Sequence, residues 1–173
     1  MLQSIRFSHY KAFDGECNID IRPITLIIGK NSSGKSSILK LFPMLSNMLR
    51  GQLRYPLLLK NGNILMGSSY EDLFTNRDTI GLELGVKYNN GIAINAKYFI
   101  NGGKIGIYEI STSIGEKTIS RNVIEEESKL EGMIDPMAFA DLNISPQNCK
   151  FSVNYLGPLR VTAPHSVSFN GFG

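Results

Sequence analysis

Hydrophobic and polar positions change their rhythm several times along the chain. Within 2–9, Leu2, Ser4, Arg6 and Ser8 interleave with Gln3, Ile5 and Phe7, and further on Ile19 and Ile21 alternate with Asn18 and Asp20. A period of two predicts strands over 2–9 and 16–21, with Asp14-Gly15 as the turn signal between them. After Pro23 the pattern becomes a continuous apolar run, ITLII at 24–28. Such a run predicts a strand buried on both faces. Ile38, Leu39, Leu41, Phe42, Leu45, Met48 and Leu49 then recur at helical spacing. Pro43 falls well inside that helix, where it lacks an N–H and crowds the preceding turn, so a kink or break is expected there.

Residues 51–79 have no sustained period. Gly51, Pro56, Asn61-Gly62 and Gly67 predict loops, with a short helix near 57–60 and a helical turn near 70–74. Strict alternation returns with Ile80, Leu82, Leu84, Val86 and Tyr88, and again with Ile92, Ile94, Ala96, Tyr98 and Ile100. Asn89-Asn90-Gly91 and Asn101-Gly102-Gly103 are hairpin signals, 104–112 is a third predicted strand and 117–122 a fourth. The pattern is an antiparallel meander over about 80–121 with one apolar face. Residues 123–148 are predicted helical or irregular, and 151–155 a last strand. No repeat or low-complexity tract is present.

Composition changes this picture little. The chain has 173 residues, 42% hydrophobic and 19% charged, which suits one domain or one lobe of a larger one. A net charge of +3, from 18 basic and 15 acidic residues, is too even to argue for DNA or RNA binding. The apolar runs fall far short of the ~20 residues that span a bilayer, and MLQSIRFSHYKAF has no signal-peptide core, so no membrane association is expected. Cys17 and Cys149 match no metal or redox spacing, and the histidines, His9 and His165, stand apart from any ligand cluster. A cytoplasmic protein with reduced thiols is the expectation.

The candidate chemistry lies in GKNSSGKSS, Gly29 to Ser37. Gly29, Gly34, Lys35 and Ser36 satisfy G-x-x-x-x-G-K-[ST]. The glycines permit backbone conformations in which successive N–H groups converge on phosphate oxygens. A following helix adds its free N-terminal N–H groups and the positive end of its dipole. Lys35 is the candidate catalytic cation, placed to reach the β- and γ-phosphates, and the Ser36 hydroxyl is the candidate Mg²⁺ ligand. Lys30, Asn31, Ser32, Ser33 and Ser37 belong to the loop by position, through their backbone N–H groups. By residue frequencies a chance match in a chain this long is on the order of one in two hundred. A predicted strand before the motif and a predicted helix after it strengthen the reading over that of a polar turn.

The segment IRFSHYKAFDGECNIDIRPITLIIGKNSSGKSSILKLF resembles the N-terminal part of the SMC, RecF and OLD group of ABC-type ATPases. In that group a strand ends in a motif like NFK-x-F, matched here by SHYKAF at 8–13 with His9 and Tyr10 replacing Asn and Phe. SSYEDLF at 68–74 and YLGPLR at 155–160 are similar to a narrower set of bacterial AAA-type ATPases, including subunits of anti-phage systems such as Septu and retron-linked ones. The resemblance implies an α/β P-loop NTPase fold, with the chain as an ABC-type N-terminal lobe over 1–173. Its P-loop core would be 22–50 and its antiparallel β-subdomain the meander. It also implies ATP and Mg²⁺ as cofactors, and a homo-oligomer in which ATP is sandwiched head to head. A nuclease or other effector subunit is the implied partner. Lys11 matches the position that often contacts adenine or phosphates in the family, though by itself it reads equally as a solvated lysine. Gln147 is the best-placed candidate for the glutamine that touches Mg²⁺, and Arg160 is either a functional charge or a turn residue.

No apolar run ends in Asp-Glu and no LSGGQ-like segment is present, so the Walker B carboxylates and the signature segment are expected in a second lobe. Two other readings stay open: a free-standing P-loop phosphotransferase, against which the arginine-poor meander argues, and a nucleotide-binding module that does not hydrolyse.

Overall fold

The computed structural model describes residues 1–50, 56–123 and 132–156. Arg160 and His165 lie outside the described residues, as does most of the YLGPLR segment. The dominant element is a six-stranded sheet in which every pairing is antiparallel. Its strands are β1 (Leu2–Ser8), β2 (Cys17–Asp20), β5 (Ile80–Tyr88), β6 (Ile92–Asn101), β7 (Lys104–Ile114) and β8 (Lys117–Asn122). They lie in the order β2-β1-β5-β6-β7-β8, so the N-terminal hairpin joins the meander along β1 and β5. A small hairpin, β3 (Lys60–Asn61) and β4 (Ile64–Leu65), precedes the meander.

The alternation read from the sequence is the alternation of faces. Leu82, Leu84, Val86 and Tyr88 of β5 and Ile92, Ile94, Ala96 and Tyr98 of β6 are all buried, as are Ile5 and Phe7 of β1. The bends between β6 and β7 come where the sequence supplies glycine. Gly102 and Gly103 have φ of 57° and 74°, the left-handed pair that a two-residue hairpin turn requires. The inner face of the sheet shares one core with the helix α1 (Lys35–Met48), whose Ile38, Leu41, Met44, Leu45 and Met48 are buried. Each such side chain contributes roughly 1.5–3 kcal/mol of burial.

Pro43 does not break α1: the helix runs continuously to Met48. Pro43 is itself buried, and its carbonyl accepts a bond from Asn61 Nδ2 at 3.1 Å, so packing on the β3–β4 hairpin holds the turn together. The C-terminal end of α1 is covered by the chain that follows the meander. Met133 N–H donates to the Met48 carbonyl at 3.1 Å, and Ser46 Oγ donates to the Phe151 carbonyl at 2.6 Å. A short helix α2 (Pro136–Asp141) starts at Asp135, whose carboxylate accepts from the Met137 and Ala138 N–H groups and is met by Arg121 at 3.2 Å.

Three expected elements are not formed. Residues 24–28 are not a strand: Ile24, Leu26 and Ile28 are 81%, 79% and 88% exposed. A strand buried on both faces needs hydrogen-bonded neighbours and covering layers, and among the described residues no strand pairs with this segment, of which Ile27 packs half-buried against the core. The short helix near 57–60 is instead irregular chain leading into β3, and Leu57 is buried. The last predicted strand, 151–155, forms no strand pairing among the described residues. The turn near 70–74 does form, as a 3-10 turn over Glu71–Leu73.

Candidate functional site

The loop from Gly29 to Ser33 is exposed and irregular, and it delivers the chain directly into α1. Gly34 is the residue before the helix and sits at φ 88°, in the left-handed region. A Cβ there would also lie 2.7 Å from the Cε2 and Cζ atoms of Phe13, so conformation and space both demand glycine. A Cβ on Gly29 would come within 2.8 Å of Ser33 Oγ, the tip of an exposed side chain that can turn away, so Gly34 is the more tightly constrained of the two glycines.

The Lys35 ammonium folds back over the loop. It donates to the Gly29 carbonyl at 2.7 Å, to the Lys30 carbonyl and, weakly, to Ser33 Oγ at 3.4 Å. No side chain caps the N-terminus of α1, and no acidic residue occupies its first turn. The positive end of the helix therefore meets a lysine and no protein carboxylate, which suits an anion. Ser36 is exposed on this turn, while Ser37 is half-buried. Among the described residues no group of three or more His, Cys, Asp or Glu could hold a metal ion.

The structure brings Gly29 to Ser37 together, places Lys11 between Tyr10 and Phe13, which both meet the start of α1, and leaves Gln147 elsewhere. Lys11, at φ 53°, directs its ammonium to the Met66 carbonyl. There burial lowers its pKa, nearby Lys40 lowers it further, and Asp72 opposes both. Lys40 itself donates to the adjacent Leu65 carbonyl at 2.7 Å. Gln147 is exposed in the 3-10 turn Pro146–Cys149. That turn is fixed through the Cys149 carbonyl, which accepts from the Tyr88 hydroxyl, and the chain after it through Ser46, in the last third of α1. Ten residues of helix separate Ser46 from Ser36, an axial distance of about 15 Å.

Two residues that sequence reasoning passed over form the support of the loop. Phe13 packs on Gly34, and the Tyr10 hydroxyl donates to the Ser37 carbonyl at 3.3 Å. Their signal was the aromatic spacing in FSHYKAF, where Phe7, Tyr10 and Phe13 follow at intervals of three. Asp72 was also missed. It accepts from the Ser68 and Ser69 N–H groups at 2.8 and 3.1 Å, bonds that lower its pKa most.

A family model described as AAA ATPase domain matches residues 1–159. No curated protein matches the chain.

Proposed function

The chain belongs to the AAA ATPase domain family, with the α/β fold of a P-loop NTPase, and from that premise we propose that it is the ATP-binding lobe of an ABC-type ATPase of the SMC, RecF and OLD group. The observation that carries the reading is the uncapped start of α1, with Gly34 at φ 88° before it and the Lys35 ammonium lying across the loop carbonyls. The loop backbone and the helix N-terminus would hold the ATP phosphates. Lys35 would exchange its bonds to Gly29 and Lys30 for the β- and γ-phosphates, and Ser36 would hold Mg²⁺. The metal, when bound, neutralises charge developing on the phosphates. In the complete protein ATP would join two heads and hydrolysis would part them, in anti-phage defence or DNA maintenance, with a nuclease or similar effector as partner and the cytoplasm as location.

Sedimentation of the full-length protein, with and without MgATP, tests the assembly step. The reading predicts association on MgATP that Lys35→Ala removes. A sedimentation coefficient that ignores MgATP would contradict head-to-head closure.

A further inference from the structure

The loop is not held by its own residues alone. Its last glycine is wedged against a ring from a distant hairpin, and that ring cannot easily retreat. Phe13 and Tyr10 exchange both backbone hydrogen bonds at 2.9 Å, closing a tight turn. The Phe13 carbonyl also accepts from Thr75 Oγ1 at 3.0 Å. The Phe13 ring meets Phe7 edge-on, with centroids 5.4 Å apart at 79°, and Phe7 is buried in the core of the sheet. Phe13 is therefore held through its ring by Phe7 of β1 and through its backbone by Tyr10 and Thr75.

Against this fixed surface lie two points of the helix start. Gly34 touches the Phe13 ring, and the Ser37 carbonyl receives the Tyr10 hydroxyl. Positions three apart share one helix face, so the two contacts together set both the position and the rotation of the first turn. The first helical bond, Ile38 N–H to the Gly34 carbonyl at 3.1 Å, starts from the residue that the ring holds.

We propose that Phe13 is a positioning residue for the nucleotide loop: its ring holds Gly34 in the left-handed conformation from which α1 begins, and so sets the N–H groups that face phosphate. The proposal rests on the reading of Gly29 to Ser37 as a phosphate-binding loop. Binding groups must be held within about 0.5 Å of the productive geometry, and this loop, exposed along most of its length, has few other means of reaching that precision. Without the ring, Gly34 is free to leave φ 88°, and the amides lose their common direction.

Hydrogen exchange on the nucleotide-free protein tests the contact directly, with Phe13→Ala and Phe13→Leu beside the parent. Phe13 is only half-buried, and the amides of β5 and β6 report whether the fold is intact. In Phe13→Ala the amide of Ile38 is expected to exchange about tenfold faster while those of β5 and β6 keep their protection. Phe13→Leu, which refills most of the space, restores most of the difference. An unchanged rate at Ile38 would overturn the proposal. So would equal acceleration in β5 and β6, since Phe13 would then act on the whole fold. No nucleotide takes part, so a chain that failed to bind ATP would sink the reading of the loop and leave this result standing. With MgATP added, Phe13→Ala should bind about tenfold more weakly than the parent and Phe13→Leu should recover most of the loss. Equal affinity in Phe13→Ala and the parent would overturn the positioning role.

Discussion

The Tyr10 hydroxyl donates to the Ser37 carbonyl at 3.3 Å, joining the first hairpin of the sheet to the first turn of α1 across 27 positions of sequence. The ring that carries this hydroxyl is fully buried and packs edge-on against Phe7 at 5.9 Å. Tyr10→Phe keeps the ring and deletes the bond. It should lower stability by about 0.5–1.5 kcal/mol, read by urea denaturation, with the slope of the transition unchanged. Unaltered stability would show that the hydroxyl gains nothing from Ser37.

Tyr98 presents the opposite case. It is fully buried on the inner face of β6, and its hydroxyl has no hydrogen-bond partner among the described residues. Burial alone pushes its phenol well above the ordinary range. A buried polar atom without a partner costs about 1–3 kcal/mol, so Tyr98→Phe should be neutral or stabilising by about 1 kcal/mol in thermal or urea unfolding. A destabilised Tyr98→Phe would mean that the hydroxyl is satisfied.

Alkaline pH should weaken the fold, and Cys149 supplies part of the effect. Burial pushes its thiol from 9.0 up to about 11. In the unfolded chain the thiol ionises first, so its contribution is full below pH 9 and is lost as pH rises through about 11. Tyr10 and Tyr88, whose phenols burial also raises, add loss of the same sign above pH 10. Lys11, lowered by burial, acts the other way as its charge is shed. Cys149→Ala leaves the backbone carbonyl that Tyr88 uses. The stability of the parent minus that of the variant should therefore fall between pH 9 and 11 in thermal unfolding scans. A difference constant over that window would contradict the assignment.

The meander and the glycine loop were legible because each carries its own local code. Alternation along β5 and β6 needs only the sheet's two faces, and at Gly34 the loop needs glycine because φ is positive and the Phe13 ring leaves no room for a Cβ. ITLII was misread because a continuous apolar run states what a segment would bury and not what lies beside it, and Ile24, Leu26 and Ile28 face solvent here. Pro43 was judged by its missing N–H, whereas the Asn61 bond and burial against the core decided its fate. The supports of the site were hidden for a related reason. That Phe13 meets Gly34, and that Lys11 turns to the Met66 carbonyl, are facts of tertiary contact, and no period in the sequence encodes them.

The central claim is that Gly29 to Ser37 binds the phosphates of a nucleotide through Lys35 and the start of α1. Calorimetric titration of MgATP into the parent and into Lys35→Ala tests it most directly. Lys35 is half-buried and its side chain bonds only loop atoms, so its removal should leave the fold intact. The account predicts saturable binding by the parent and a loss of about a hundredfold or more in the variant, as removal of a charge-assisted contact to phosphate implies. Lys35→Ala binding MgATP as tightly as the parent would contradict it.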